Sequence, residues 1–140
     1  MGKKYATHQS QIKVPVAVKN QNKYKDLITQ VNKIANHCRQ GSFQTKARYY
    51  QGMERFVRHL ADQNLSKIRN IHDRHIVTYI REMQAQGLSA STIKTDLAAI
   101  RFFHDQIANA RNIISDNTKL QQKYDIHLEK RHFGGVDRSW

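Results

Sequence analysis

The stretch "QGLSASTIKTDLAAIRFFHDQIANAR", Gln86 to Arg111, opens with turn and capping residues and continues as an amphipathic run. Gly87 ends the preceding element, and Ser89 or Ser91 caps the new one. Ile93, Leu97, Ile100 and Ile107 recur at helical spacing and mark a core stripe, with Phe103 at its edge. Phe102 points nearly away from that stripe, so the helix is either central in a bundle or offers an apolar group to a partner. Lys94 and Arg101 share a flank with Ala98 between them and Ser91 and Thr95 beside it. That flank reads either as ordinary surface or as a small-residue, cationic strip that a phosphate backbone or base edge can approach.

Three more helices lie upstream. In "HDRHIVTYIREMQAQG", Ile76, Tyr79, Ile80 and Met83 face inward, Asp73 suits the first turn through the helix dipole, and the charges nearly cancel. That helix reads as structural. In "SFQTKARYYQGMERFVRHLADQN", Tyr49, Tyr50, Met53, Phe56, Val57 and Leu60 form a buried stripe, with Gln44, Arg48, Gln51, Arg55 and Arg58 almost opposite. Within this helix only Glu54 and Asp62 offer the arginines countercharge. The stripe is a solvated face or, given that shortage, a polyanion-binding one. In "NKYKDLITQVNKIANHCRQG", the apolar face is Tyr24, Leu27, Ile28, Val31, Ile34, Ala35 and Cys38, with Asn22 as N-cap and Gly41 as stop.

The flanks lack such periods. Residues 1–21 hold the chain's one proline, Pro15, and read as a flexible basic arm carrying Lys3, Lys4, Lys13 and Lys19. Beyond Arg111 the apolar pattern decays, and a Gly134-Gly135 pair marks a connector leaving the bundle. The expected division is therefore an arm at 1–21, a helical domain at 22–118 and a linker at 119–140. With no closing element before Trp140, the sequence reads as a fragment.

Charge is the strongest compositional signal: 24 basic against 11 acidic residues give a net +13 over 140 residues. Residues 1–70 hold 14 Lys and Arg against three acids, so the basic surface belongs mainly to the first half. Such a balance repels itself, and a polyanionic partner relieves the repulsion. With 39% hydrophobic and 25% charged residues the chain is globular. No apolar run approaches the roughly 18 residues that span a bilayer, and no signal-peptide core follows the first lysines. A soluble, cytoplasmic protein with no membrane partner is expected. Cys38, the single cysteine, fits a reducing compartment and, by its place in the apolar period, a buried structural thiol.

Catalytic and metal signatures are lacking. His72 and His75 stand three apart, but no Cys pair, H-E-x-x-H or second His cluster completes a metal site. There is no P-loop, G-x-G-x-x-G or G-x-S-x-G. No metal, cofactor or catalytic residue is expected.

The segment "NIHDRHIVTYIREMQAQGLSASTIKTDLAAIRFFHDQI" resembles the N-terminal SAM-like, or core-binding, domain of tyrosine recombinases of the phage-integrase family. Thr45, Tyr49, Phe56 and Leu60 match its second-helix pattern, and Tyr79, Ile80, Met83 and Gly87 match its "yl..l...G" helix. Leu88, Ser89, Thr92, Ile93, Leu97, Ala99, Arg101 and Phe103 match "LS..TI...L.A.R.F". The similarity runs from about Asn22 to Leu120, and "GVDRSW" at the end resembles a lead-in to the catalytic domain.

The resemblance implies an all-α, four-helix SAM-like bundle that, with a catalytic domain of the same parent chain, clamps double-stranded DNA. The second and fourth helices of such a domain face the major groove. Carried over, the contacts are Thr45, Lys46, Arg48 and Arg55 on one helix and Ser91, Lys94, Thr95 and Arg101 on the other; Gln51 and Arg58 extend the first set from the arginine stripe. Asp96 stands where relatives often carry a basic residue. Strand cleavage belongs to a domain with a nucleophilic tyrosine and an H-x-x-R motif, which this chain lacks. The expected function is thus a non-enzymatic DNA-binding module of a site-specific recombinase, working in DNA integration and recombination with other protomers on DNA and nucleoid-associated when bound. The alternative is a basic helical RNA-binding or protein-interaction module.

Overall fold

Gly87 and Ser89 make the sharpest corner in the chain. Gly87 takes φ +87°, a backbone conformation glycine adopts without Cβ strain, and the Leu88 N–H reaches back to the Met83 carbonyl at 3.0 Å. Two residues later the Ser89 hydroxyl accepts from the Thr92 N–H and starts the next helix. A helix end, a half-buried Leu88 and a helix start therefore occupy three consecutive residues, which is the physical content of the "GLS" join.

The computed structural model describes residues 5, 7–9, 12–15, 18–38 and 43–128. Among them the secondary structure is wholly helical: α1 (Gln21–His37), α2 (Phe43–Asp62), a short 3-10 turn (Ile68–Asn70), α3 (Asp73–Ala85), α4 (Ala90–Asp105) and α5 (Asn117–Tyr124). Lys3, Lys4, Gly41, Gly134, Gly135 and the "GVDRSW" end lie outside the described residues.

α2 is the central element, packed on α1 by one side and on α4 by another. Its Met53, Phe56, Val57 and Leu60 are fully buried, joined by Leu27, Ile28 and Val31 of α1, Ile76, Tyr79 and Ile80 of α3, and Ile93, Leu97 and Ile100 of α4. The stripes read from periodicity are therefore the core. Their edges are wetter than expected: Ile34, Ala35, Cys38, Tyr49, Tyr50 and Ile107 are only half-buried, and Ile107 lies beyond the end of α4. The Cys38 thiol is thus not a fully buried one. Phe102 finds its place against α2, its ring 5.3 Å from Tyr49 and edge-on to Phe103 at 5.4 Å.

The structure settles three caps, one of them against expectation. Asn20, not Asn22, caps α1 by accepting from the Lys23 N–H. Ser89 rather than Ser91 caps α4. At α3 the cap is His72, whose Nδ1 accepts from the Arg74 N–H while its own N–H donates to His75 Nδ1 at 2.9 Å. Asp73 is buried and accepts from the Ser115 N–H and hydroxyl, so it anchors the returning chain as well as favouring the helix dipole.

Both flanks are docked where they are described. Val18 is buried in the core, Tyr5 stacks on Tyr50 with centroids 4.2 Å apart, and the Asn36 side-chain amide pairs with both the N–H and the carbonyl of Tyr5. Downstream, α5 is an additional helix capped by Asp116, and Leu120, Ile126 and Leu128 are buried in the same core. Arg81 and Gln84 of α3 donate to the Tyr124 and His127 carbonyls. Among the described residues the bundle thus has five α-helices rather than four, and residues 119–128 pack back on it instead of leaving as a linker.

Candidate nucleic-acid interface

α2 and α4 pack closely at Gly52, where a side chain would collide with Asp96 and Ala99. That approach sets how the polar stripe of α2 meets the polar flank of α4. Asp96 points into the seam and is fully buried, at 0% exposure. Burying an unpaired carboxylate is prohibitive, and this one collects three donors. Arg48 Nη1 lies 3.1 Å from Oδ1, Arg55 Nη1 lies 2.6 Å from Oδ2, and the Tyr79 hydroxyl donates to Oδ2 at 2.8 Å. Burial, and then the Asp96 carboxylate, raise the Tyr79 hydroxyl pKa above its ordinary value, so it stays a donor.

Glu54 and Asp62 are the acids that α2 itself offers its arginines; the structure adds a third from outside the helix. The carboxylate comes from α4, out of reach of any argument confined to one helix. It was nonetheless detectable: Asp96 falls between Ile93 and Ile100 on the apolar stripe, beside Leu97, where an acid has no reason to sit unless it has partners. A basic residue at that place would be buried against two arginines.

The arginine stripe divides. Arg48 and Arg55 lean to α4, with side chains still 34% and 31% exposed. Arg58 pairs within α2, its Nε donating to Glu54 Oε2 at 2.8 Å, and the same oxygen accepts from the Tyr24 hydroxyl of α1 at 2.9 Å. Burial, followed by the Glu54 charge and hydrogen bond, raises the Tyr24 pKa, whereas the Glu54 hydrogen bond raises that of Arg58.

The other residues expected at the surface fall as follows. Thr45 and Gln51 are exposed, and Gln51 lines an open groove of about 440 Å³ with Ala47, Arg48, Tyr50 and Glu54. Lys46 is half-buried and donates from Nζ to the Cys38 carbonyl at 3.1 Å. On α4, Ser91 and Ala98 are exposed and Lys94 and Thr95 half-buried, with the Thr95 hydroxyl donating to the Ser91 carbonyl. Arg101 is turned to the returning chain: its Nη2 donates to the Ser115 carbonyl at 2.9 Å, and burial lowers its pKa against the raising effect of Asp116 and Asp73. The structure therefore brings Arg48 and Arg55 together with α4, and pairs Arg58 with Glu54 and Arg101 with the Ser115 carbonyl.

Among the described residues no group of three or more His, Cys, Asp or Glu side chains is placed to hold a metal ion, and no helix is long and apolar enough to cross a membrane. Residues 24–114 match the family model described as phage integrase, N-terminal, a SAM-like domain. No curated protein and no solved structure matches the chain.

Proposed function

Since the chain belongs to the phage integrase N-terminal, SAM-like family, we propose that it grips duplex DNA for a tyrosine recombinase through the joined outer faces of α2 and α4. One observation carries the reading: Arg48 and Arg55 emerge from the α2–α4 seam, partly exposed, on a chain of net charge +13. Thr45, Lys46 and Gln51 extend that face along α2, and Ser91, Lys94 and Thr95 along α4. Its cations neutralise phosphates and release counterions, while the hydroxyls and amide supply limited reading of the groove. Arg58 and Arg101, held by Glu54 and Ser115, contribute to the field rather than to the groove. A catalytic domain of the same parent chain and further protomers on DNA complete the working assembly, in the cytoplasm.

Titrating the chain with duplex DNA at several salt concentrations tests this. With about six phosphates contacted, log K against log salt has a slope near −5. An isotherm that does not move with salt refutes the reading, and so does a preference for structured RNA in competition, because A-form RNA closes its major groove to side chains.

A further inference from the structure

Asp96 presents a contradiction. A carboxylate beside a phosphate-binding face opposes binding, and a fully buried one contributes less to stability than a well-packed apolar side chain of similar volume. Its geometry offers a reason for it. Arg48 and Arg55 sit seven residues apart on one stripe of α2, on either side of Gly52, whose missing side chain lets Asp96 approach from beneath. Each arginine spends one Nη on the carboxylate, one on each oxygen, and the Tyr79 hydroxyl keeps that carboxylate from rotating. Arg55 also faces the Tyr79 hydroxyl, but a guanidinium carries five N–H donors, so donors remain on both arginines for a ligand, and two positive charges against one negative leave the cluster cationic.

We infer that Asp96 is a positioning residue for DNA binding: from inside the bundle it holds Arg48 and Arg55 in one orientation, with their remaining donors turned outward to phosphate. The inference rests on the duplex-binding reading above. An arginine side chain free to rotate loses much of its entropy on meeting a phosphate, whereas one already held has lost it on folding. Two such side chains account for about a tenfold gain in affinity. A charge-only role and a positioning role then predict opposite signs for the same substitution.

The test uses the 140-residue chain, duplex DNA and a salt series, with Asp96→Asn, Arg48→Gln/Arg55→Gln and the triple variant. Asp96→Asn is expected to weaken binding about tenfold although it raises the net charge by one, and to lower the magnitude of the salt slope by about one to two. In the Arg48→Gln/Arg55→Gln background the same change is expected to alter affinity less than about twofold, because its effect passes through the arginines. Equal or tighter binding by Asp96→Asn overturns the inference, and so does an equal loss in both backgrounds, which marks a merely structural role. If the unaltered chain shows no salt-dependent binding, it is the duplex-binding reading that fails. Should the variants not fold, the unaltered chain decides: distinct, slowly exchanging guanidinium proton resonances for Arg48 and Arg55 before DNA is added support positioning, and averaged ones overturn it.

Discussion

The space beside Gly52 belongs to Asp96: a Cβ on residue 52 would lie 2.9 Å from Asp96 Oδ1 and 3.2 Å from both Asp96 Cα and Ala99 Cβ. Alanine is the better helix former by about 1 kcal/mol, which favours Gly52→Ala. Overpacking costs about 1 to 3 kcal/mol, and relief here requires moving either the α4 backbone or a carboxylate held by three donors. The second effect wins. Gly52→Ala is expected to lose up to about 2 kcal/mol on balance, read as a fall in Tm of up to about 8 °C.

Lys94 and Arg101 share a flank but not a role. Lys94→Gln should weaken duplex binding uniformly across sequences and reduce the magnitude of the salt slope by about one. Arg101→Gln should cost about 1 to 2 kcal/mol of stability through its lost bond to the Ser115 carbonyl, and leave the slope nearly unaltered. Paired melting and binding measurements separate the two, and a slope change for Arg101→Gln alone contradicts this division.

Acid should weaken the α3 cap. Burial, then the neighbouring Arg74, His72 and His59 charges, lowers the His75 pKa, and burial lowers that of His104. With folded-state values below the ordinary 6.5, the unfolded chain binds more protons in that window, so stability is full above pH 6.5 and falls as pH drops below it. Protonated His75 also cannot accept the His72 N–H at its Nδ1. A glutamine in its place can accept that bond, as glutamine does in a capping box, and carries no proton to gain. Denaturant titrations of His75→Gln between pH 7.5 and 5 should therefore show a shallower acid loss than the unaltered chain.

The tail is a load on the core rather than a tether. Leu120 is fully buried, and Leu120→Ala is expected to cost about 2 to 4 kcal/mol by chemical denaturation. A cost near zero would mean that residues 117–128 leave the bundle in solution.

Four of the five helices were legible because each writes an apolar stripe across three or more turns, and the "GLS" corner because glycine and serine have distinct backbone duties there. α5 was not legible: it is eight residues long with Leu120 as its buried position, too short for a period to emerge. The α1 cap was misplaced because Asn20 and Asn22 are both competent, and only the fold decides which amide meets a free N–H. On the candidate interface, the cationic residues could be listed from the sequence, but their division could not. Arg48 and Arg58 have the same chemistry on the same stripe, but Arg58 stays with Glu54 of its own helix, and it takes Asp96 from α4 to draw Arg48 away.

The four side chains of the Asp96 cluster come from three helices, with Arg48 and Asp96 separated by 48 positions in the chain. A carboxylate gives up its hydration only when its donors are already in place, so this site closes after α2, α3 and α4 have met. With Asp96 still hydrated at the folding barrier, the lost interactions of a variant there are expected to appear in stopped-flow measurements as faster unfolding, with refolding hardly slowed. The charge cluster acts as a late latch on the bundle, setting how long the folded domain lasts more than how fast it forms.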